Sequence, residues 1–131
     1  MMLSNKTTNC GVELILNQDE ARWIANSMNE VLHGIHNINT QEVLLVEKCE
    51  AKDIHKKIIE QYNAQLWEEA NSVFLLEVHE IHVIRRAMLA VMRDFNKYNE
   101  YGTRLGVEFE EYLDLLGDIN FILENVQVKD R

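Results

Sequence analysis

The stretch Leu14–Ile35, LILNQDEARWIANSMNEVLHGI, falls on Phe74–Phe95, FLLEVHEIHVIRRAMLAVMRDF, when the chain is shifted by sixty residues. Leu16 then meets Leu76, Glu20 meets Glu80, Ile24 meets Ile84, Met28 meets Met88, Val31 meets Val91 and Ile35 meets Phe95. The apolar positions agree better than the polar ones, as expected of two copies that share one buried face. The chain is therefore expected to be a tandem duplication of a small unit, with residues 12–70 as the first repeat and 72–128 as the second.

Each unit reads as strand, helix, connection, helix. Val12–Leu16 alternate as a short strand. Asn17 is placed to cap a helix, and Glu20 three residues on completes a capping box. Ala21, Ile24, Met28, Val31 and Leu32 keep helical spacing to about His33, and Gly34 is a natural stop. Thr40 is a candidate cap for a second helix carrying Val43, Leu44 and Val46. Ala51, Ile54, Ile58, Tyr62 and Leu66 continue the helical pattern. With no proline in the chain, one long helix or two would fit residues 40–70. Asn71-Ser72 marks the join between units.

In the second unit, the β-branched run through Val78, Val83 and Ile84 would by itself extend a strand to Ile84. The sixty-residue match instead ends the strand near Glu77 and starts a helix reaching about Asn96. Asn99–Gly102 reads as a turn. The last helix, about Glu108–Glu124, shows Phe109, Tyr112, Leu113, Leu116, Ile119 and Leu123 on one side, with Gly117 as an end or kink. A shift of fifty-eight sets Ala51, Ile54 and Ile58 under Phe109, Tyr112 and Leu116. The fold class expected is mainly α: a helical bundle with at most a small two-stranded sheet, in one domain spanning 1–131, with residues 1–11 as a flexible tail. At 47% apolar residues, 131 residues suffice for one core.

Thirteen Lys and Arg face twenty-two Asp and Glu, for a net charge of −9. That charge opposes nucleic-acid binding, which needs clustered cations, and suits a protein partner with a basic surface. The C-terminal third is the most acidic: from Asn99 to Arg131, eight acids face three bases. Glu110, Glu111, Asp114 and Asp118 lie opposite the apolar side of the last helix. Together with Glu108 and the turn residues Tyr98, Tyr101 and Arg104 they form the candidate partner-binding surface. The bland alternative is a solvated acidic helix face. Trp23 and Trp67 are assigned to the core. Cys10 and Cys49 sit in no metal-type pair, no secretory leader or membrane-length apolar run is visible, and a reducing cytoplasm is the expected compartment.

Four of the five histidines form two H-x-x-H pairs, His33/His36 and His79/His82. Positions three apart share a helix face, so either pair would offer two imidazoles to a metal, with Glu77 or Glu80 adding a carboxylate. The pairs are not equivalent between units, and no HExxH or Cys–His spacing accompanies them. No metal and no cofactor is assigned. No P-loop, Rossmann fingerprint or nucleophile elbow is present.

NEVLHGI at Asn29–Ile35, and TRLG at Thr103–Gly106 ahead of Glu110, Glu111 and Leu115-Leu116, resemble consecutive parts of short bacterial proteins in which an "ALNEVxxGI" helix precedes a "TRxG" turn and an "EExxxLL" helix. Here the two pieces fall in different units: the first unit has Val46-Glu47-Lys48-Cys49 where TRLG belongs, and Leu89–Phe95 replaces NEVLHGI. In size, acidity and lack of a catalytic signature, the chain is similar to the immunity proteins of contact-dependent or polymorphic toxin systems. This similarity implies a cytoplasmic, non-enzymatic protein that binds and blocks one cognate toxin, such as a nuclease domain. Two other classes compete with it: a structural or regulatory homodimeric module, and a metal-dependent enzyme built on the H-x-x-H pairs.

Overall fold

A computed structural model describes residues 2–8, 11–34, 39–65, 67, 71–95, 105 and 107–129, with side chains described for 11–33, 39–65, 67, 71–94, 105 and 107–125. Strand β1 (Met2–Thr8) leads into β2 (Gly11–Asn17) and α1 (Gln18–Asn29). Helix α1 passes into a π-helical turn, Glu30–Gly34. Then come α2 (Thr40–Leu44), α3 (Lys48–Ala64), β3 (Asn71–Leu76), α4 (Val78–Phe95) and α5 (Phe109–Lys129). The protein is mainly helical with a small antiparallel sheet, as expected, though β1 makes three strands where at most two were expected.

The helix starts follow from local chemistry. Asn17 Oδ1 accepts from the Glu20 N–H at 2.8 Å while Glu20 Oε1 accepts from the Asn17 N–H at 3.0 Å, a complete capping box. Sixty residues on, Glu80 Oε1 accepts from the Glu77 N–H at 2.8 Å, and α4 begins at Val78. The β-branched run Val78–Ile84 is therefore helical, as the match between units requires. At α2 the cap is Asn39, whose Oδ1 accepts from the Glu42 N–H at 3.2 Å; Thr40, the expected cap, is instead the first helical residue and is buried. Leu45 then turns left-handed, φ 60°, with its N–H on the Gln41 carbonyl at 2.9 Å. An L side chain resists that conformation, and it separates α2 from α3 as two helices.

The sheet order is β1-β2-β3. β2 and β3 run antiparallel in a register that sets Leu14 opposite Phe74, Val12 opposite Leu76 and Leu16 opposite Ser72. Leu14 and Phe74, which the sixty-residue shift equates, are thus direct neighbours. The expectation of a tail at residues 1–11 is corrected: Met2–Thr8 pair with β2, with a break in register between Leu3 and Thr7. β2 has β3 on one side only, and its peptide groups on the other side need partners. Main-chain pairing supplies them whatever the polarity of the sequence. Asn71-Ser72, expected to join the units, already belongs to β3.

One core runs through both units. Leu14, Leu16, Ile24, Met28, Val31, Ile54 and Ile58 of the first unit join Phe74, Leu76, Ile84, Met88, Val91, Tyr112, Leu116 and Ile119 of the second. Between Glu20 and Val31 the buried positions are 20, 21, 23, 24, 25, 27, 28 and 31; all but 25 have a buried counterpart sixty residues later. Trp23 is buried, and Trp67 packs against Tyr62 and Phe74 with ring centroids 5.2 and 6.2 Å away. Helix α5 extends beyond its expected end at Glu124 and runs on through Gly117 without ending there. Leu113, expected on its buried side, is 44% exposed.

Candidate partner-binding surface

Helix α5 presents the candidate surface because its inner face is held firmly. Tyr112, Leu115, Leu116, Ile119, Ile122 and Leu123 are buried. Ser27 Oγ donates to the Trp23 carbonyl at 2.7 Å, so its one proton is committed. The Tyr112 hydroxyl, 2.6 Å away, must therefore donate to Ser27 Oγ, which ties α5 to α1 inside the core. Asn120 Oδ1 accepts from Arg85 Nε and ties α5 to α4. Glu110 and Glu111 occupy the first turn, where the helix dipole favours negative charge.

The outer face is then fixed by the 100° step of the helix. Glu110, Glu111, Asp114, Asp118 and Glu124 are all exposed, as is Glu108 just ahead of the helix. No Lys or Arg falls between Phe109 and Asn125. Five of the eight expected partner-binding residues, Glu108, Glu110, Glu111, Asp114 and Asp118, thus lie along one solvent-facing arc. Tyr98, Tyr101 and Arg104 lie outside the described residues. The sequence reading missed two apolar residues on the same arc, Leu113 and Phe121, the latter 65% exposed. Their spacing, with Gly117 halfway between, was the available signal: positions four apart stay on one face.

Among the described residues the histidines assemble no metal site. His33 is exposed at the π-helical turn, and His36 lies outside the described residues. His79 is exposed between two carboxylates, Nδ1 3.2 Å from Glu77 Oε2 and Nε2 3.7 Å from Glu50 Oε1. His82 is half-buried; burial holds its pKa below the ordinary 6.5, and Arg86 and Arg85 push it further down. Among the described residues no group of three or more His, Cys, Asp or Glu is arranged to hold a metal ion. The fifth histidine, His55 on α3, is also half-buried. Burial lowers its pKa, His33 adds to the effect, and a hydrogen bond to the Ala25 backbone opposes it.

Away from α5, an open groove of about 600 Å³ lies between α2 and α4, lined by Glu42, Val43, Arg86, Leu89, Ala90 and Arg93. Arg86 is held there by the Leu44 carbonyl, 3.2 Å from Nη1, one of the carbonyls left open at the end of α2. Among the described residues no helix is long and apolar enough to cross a membrane. Compared with known protein families, curated proteins and solved structures, the chain matches none.

Proposed function

We propose that the chain is a protein-binding protein that docks a basic partner through the outer face of α5, and that it acts as an immunity protein covering the cationic site of a cognate toxin domain, such as a nuclease, in the cytoplasm. The observation that carries this is the row of acids Glu110, Glu111, Asp114, Asp118 and Glu124, with no Lys or Arg among them, exposed on a helix whose opposite face is locked into the core. A rigid row of one sign of charge speeds encounter with an opposite field, and the effect fades as salt screens it. The role is binding alone; no residue is assigned to catalysis and no cofactor is required.

The test is charge reversal. Glu110→Lys, Glu111→Lys and Asp114→Lys together are expected to slow association with the cognate toxin domain and to flatten its salt dependence. Such a domain would be sought in the product of a neighbouring gene, a secreted protein with a variable C-terminal region. Association and salt dependence equal to those of the unaltered chain would sink the assignment of this surface.

We also infer that the two units descend from one duplicated strand–helix–helix ancestor. The pairing of Leu14 with Phe74, the Glu20 and Glu80 caps and the matched burial of α1 and α4 support that history.

A further inference from the structure

Gly117 has no internal explanation. Among the described residues, a Cβ built on it meets nothing within 4 Å, so no described element approaches too closely for a side chain. Glycine in the middle of a 21-residue helix weakens that helix. The cost is borne where the outer face carries exposed apolar residues: Leu113 lies four residues before it and Phe121 four residues after, 44% and 65% exposed. Residues four apart form the ridges by which helices interlock. Leu113, Gly117 and Phe121 therefore make a ridge, a notch and a ridge. Placed on the helical wheel, Glu110 and Asp114 flank Phe121, and Glu124 lies between Leu113 and Gly117.

We propose that this notch seats a helix of the partner, amphipathic and basic, that crosses α5 at Gly117 with its apolar face between Leu113 and Phe121 and its cations on Glu110, Asp114 and Glu124. The inference rests on the acidic-surface reading above and names the partner's chemistry. A second copy of this chain fits less well, because two α5 helices crossed at Gly117 would bring acids of one copy (Glu110, Asp114, Glu124) toward acids of the other, and like charges placed face to face repel. A buried apolar centre ringed by charge is the usual composition of a protein interface whose energy sits in a few anchors.

The experiment uses the full chain and two synthetic peptides of identical leucine and lysine content. One is ordered so that leucine recurs with helical spacing, and the other so that leucine and lysine alternate. Binding is followed by fluorescence anisotropy at physiological salt. The helical-pattern peptide is expected to bind about tenfold or more tightly than the alternating one, and Gly117→Leu, which fills the notch, and Phe121→Ala, which removes an anchor, are each expected to erase that preference. Gly117→Leu replaces glycine with a better helix former, so its melting temperature should match or exceed that of the parent and show that binding was lost without unfolding. Equal binding of the two peptides, or a preference untouched by both substitutions, overturns the helix seat. If the Glu110, Glu111 and Asp114 reversal then still abolishes binding of both peptides, the acidic surface stands and the seat alone falls; if the reversal changes nothing, both fall. A chain that sediments as a dimer by itself, and becomes monomeric with Phe121→Ala, assigns the notch to a second copy and also overturns the proposal.

Discussion

Glu20 and Glu80 close the first turns of α1 and α4 in the same way, each accepting from the backbone N–H three residues earlier. Behind them the two helices bury matching positions, and their strands lie side by side. Outside the core the two units part. β2 is the central strand, covered on one side by β1 and on the other by β3. β3 has no strand on its far side among the described residues; there Gln61 of α3 takes a strand's place. Its Nε2 donates to the Leu75 carbonyl at 3.0 Å and its Oε1 accepts from the Leu75 N–H at 2.8 Å. Glu80, unlike an ordinary cap residue, also receives Lys57 Nζ at 2.6 Å. Helix α1 ends in a π-helical turn, whereas α4 stays α-helical through Phe95. The interior thus imposes one pattern on both units, and the neighbours that each unit meets impose the rest.

The largest effects should fall on the shared interior. Ile24 and Ile84 are both almost fully buried at equivalent positions. Ile24→Ala and Ile84→Ala should each destabilise by about 2–5 kcal/mol, and by similar amounts, because each removes the same methyl groups from one continuous core. Denaturant unfolding with an unchanged slope would measure both. A difference of several kcal/mol would break the equivalence, since it would mean that one site collapses around its cavity and the other does not.

Next comes the Glu80 cap, which carries an added ion pair to Lys57. Glu80→Ala should cost about 1–3 kcal/mol, because it strips a part-buried N–H at Glu77 and a lysine of their shared acceptor. A double-mutant cycle with Lys57→Met isolates the ion pair. Glu80 is buried, so the coupling should exceed the ~0.2–1 kcal/mol typical of exposed pairs. Coupling within that range would reduce Lys57 to a surface contact and leave the Glu20 and Glu80 caps alike.

A smaller effect is expected at the sheet edge. Gln61→Ala should cost about 1 kcal/mol for two solvent-side hydrogen bonds. It should also leave the exposed Leu75 unguarded, while the Val73 carbonyl keeps Gln65 Nε2 at 3.5 Å. Open edges invite pairing between molecules, so light scattering of concentrated Gln61→Ala protein should rise above that of the parent. Unchanged scattering would show that Gln61 only satisfies Leu75 and does not guard the edge.

Residue by residue, the sequence disclosed what local chemistry and periodicity control. Asn17 and Glu20 announce their capping box, and Ile84, Met88 and Val91 announce a helix once Ile24, Met28 and Val31 are laid over them. Glu110, Glu111, Asp114 and Asp118 were placed on the outer face by the 3.6-residue period alone. What escaped depends on partners distant in sequence or on main-chain bonds without a side-chain signature. β1 is a polar stretch that pairs through its backbone. Asn39 and Thr40 are adjacent residues with equal capping chemistry, and only the observed bond to Glu42 separates them. Leu113 and Phe121 mix with buried neighbours such as Leu115, Leu116 and Ile122, so apolar content hides the side they face. No spacing rule announces that Gln61 will reach Leu75.

The smallest effect concerns two half-buried, hard-to-protonate histidines: His55 packed toward α1, and His82 on α4 itself. Burial is the main cause in both, and it disfavours the charged form. The folded chain therefore takes up these protons at a lower pH than the unfolded chain, whose histidines titrate near 6.5. Between those two points the unfolded state binds more protons, so stability rises with pH. The stability is fully present above about 6.5, falls as the pH drops through the window just below, and levels off once the folded-state histidines are charged too. Thermal melts at closely spaced pH values should show this slope, reduced by His55→Gln and by His82→Gln singly and removed by the pair. If His55→Gln alone removes it, the histidine packed against α1 carries the whole response, and the two units, alike in their buried positions, differ in their sensitivity to protons.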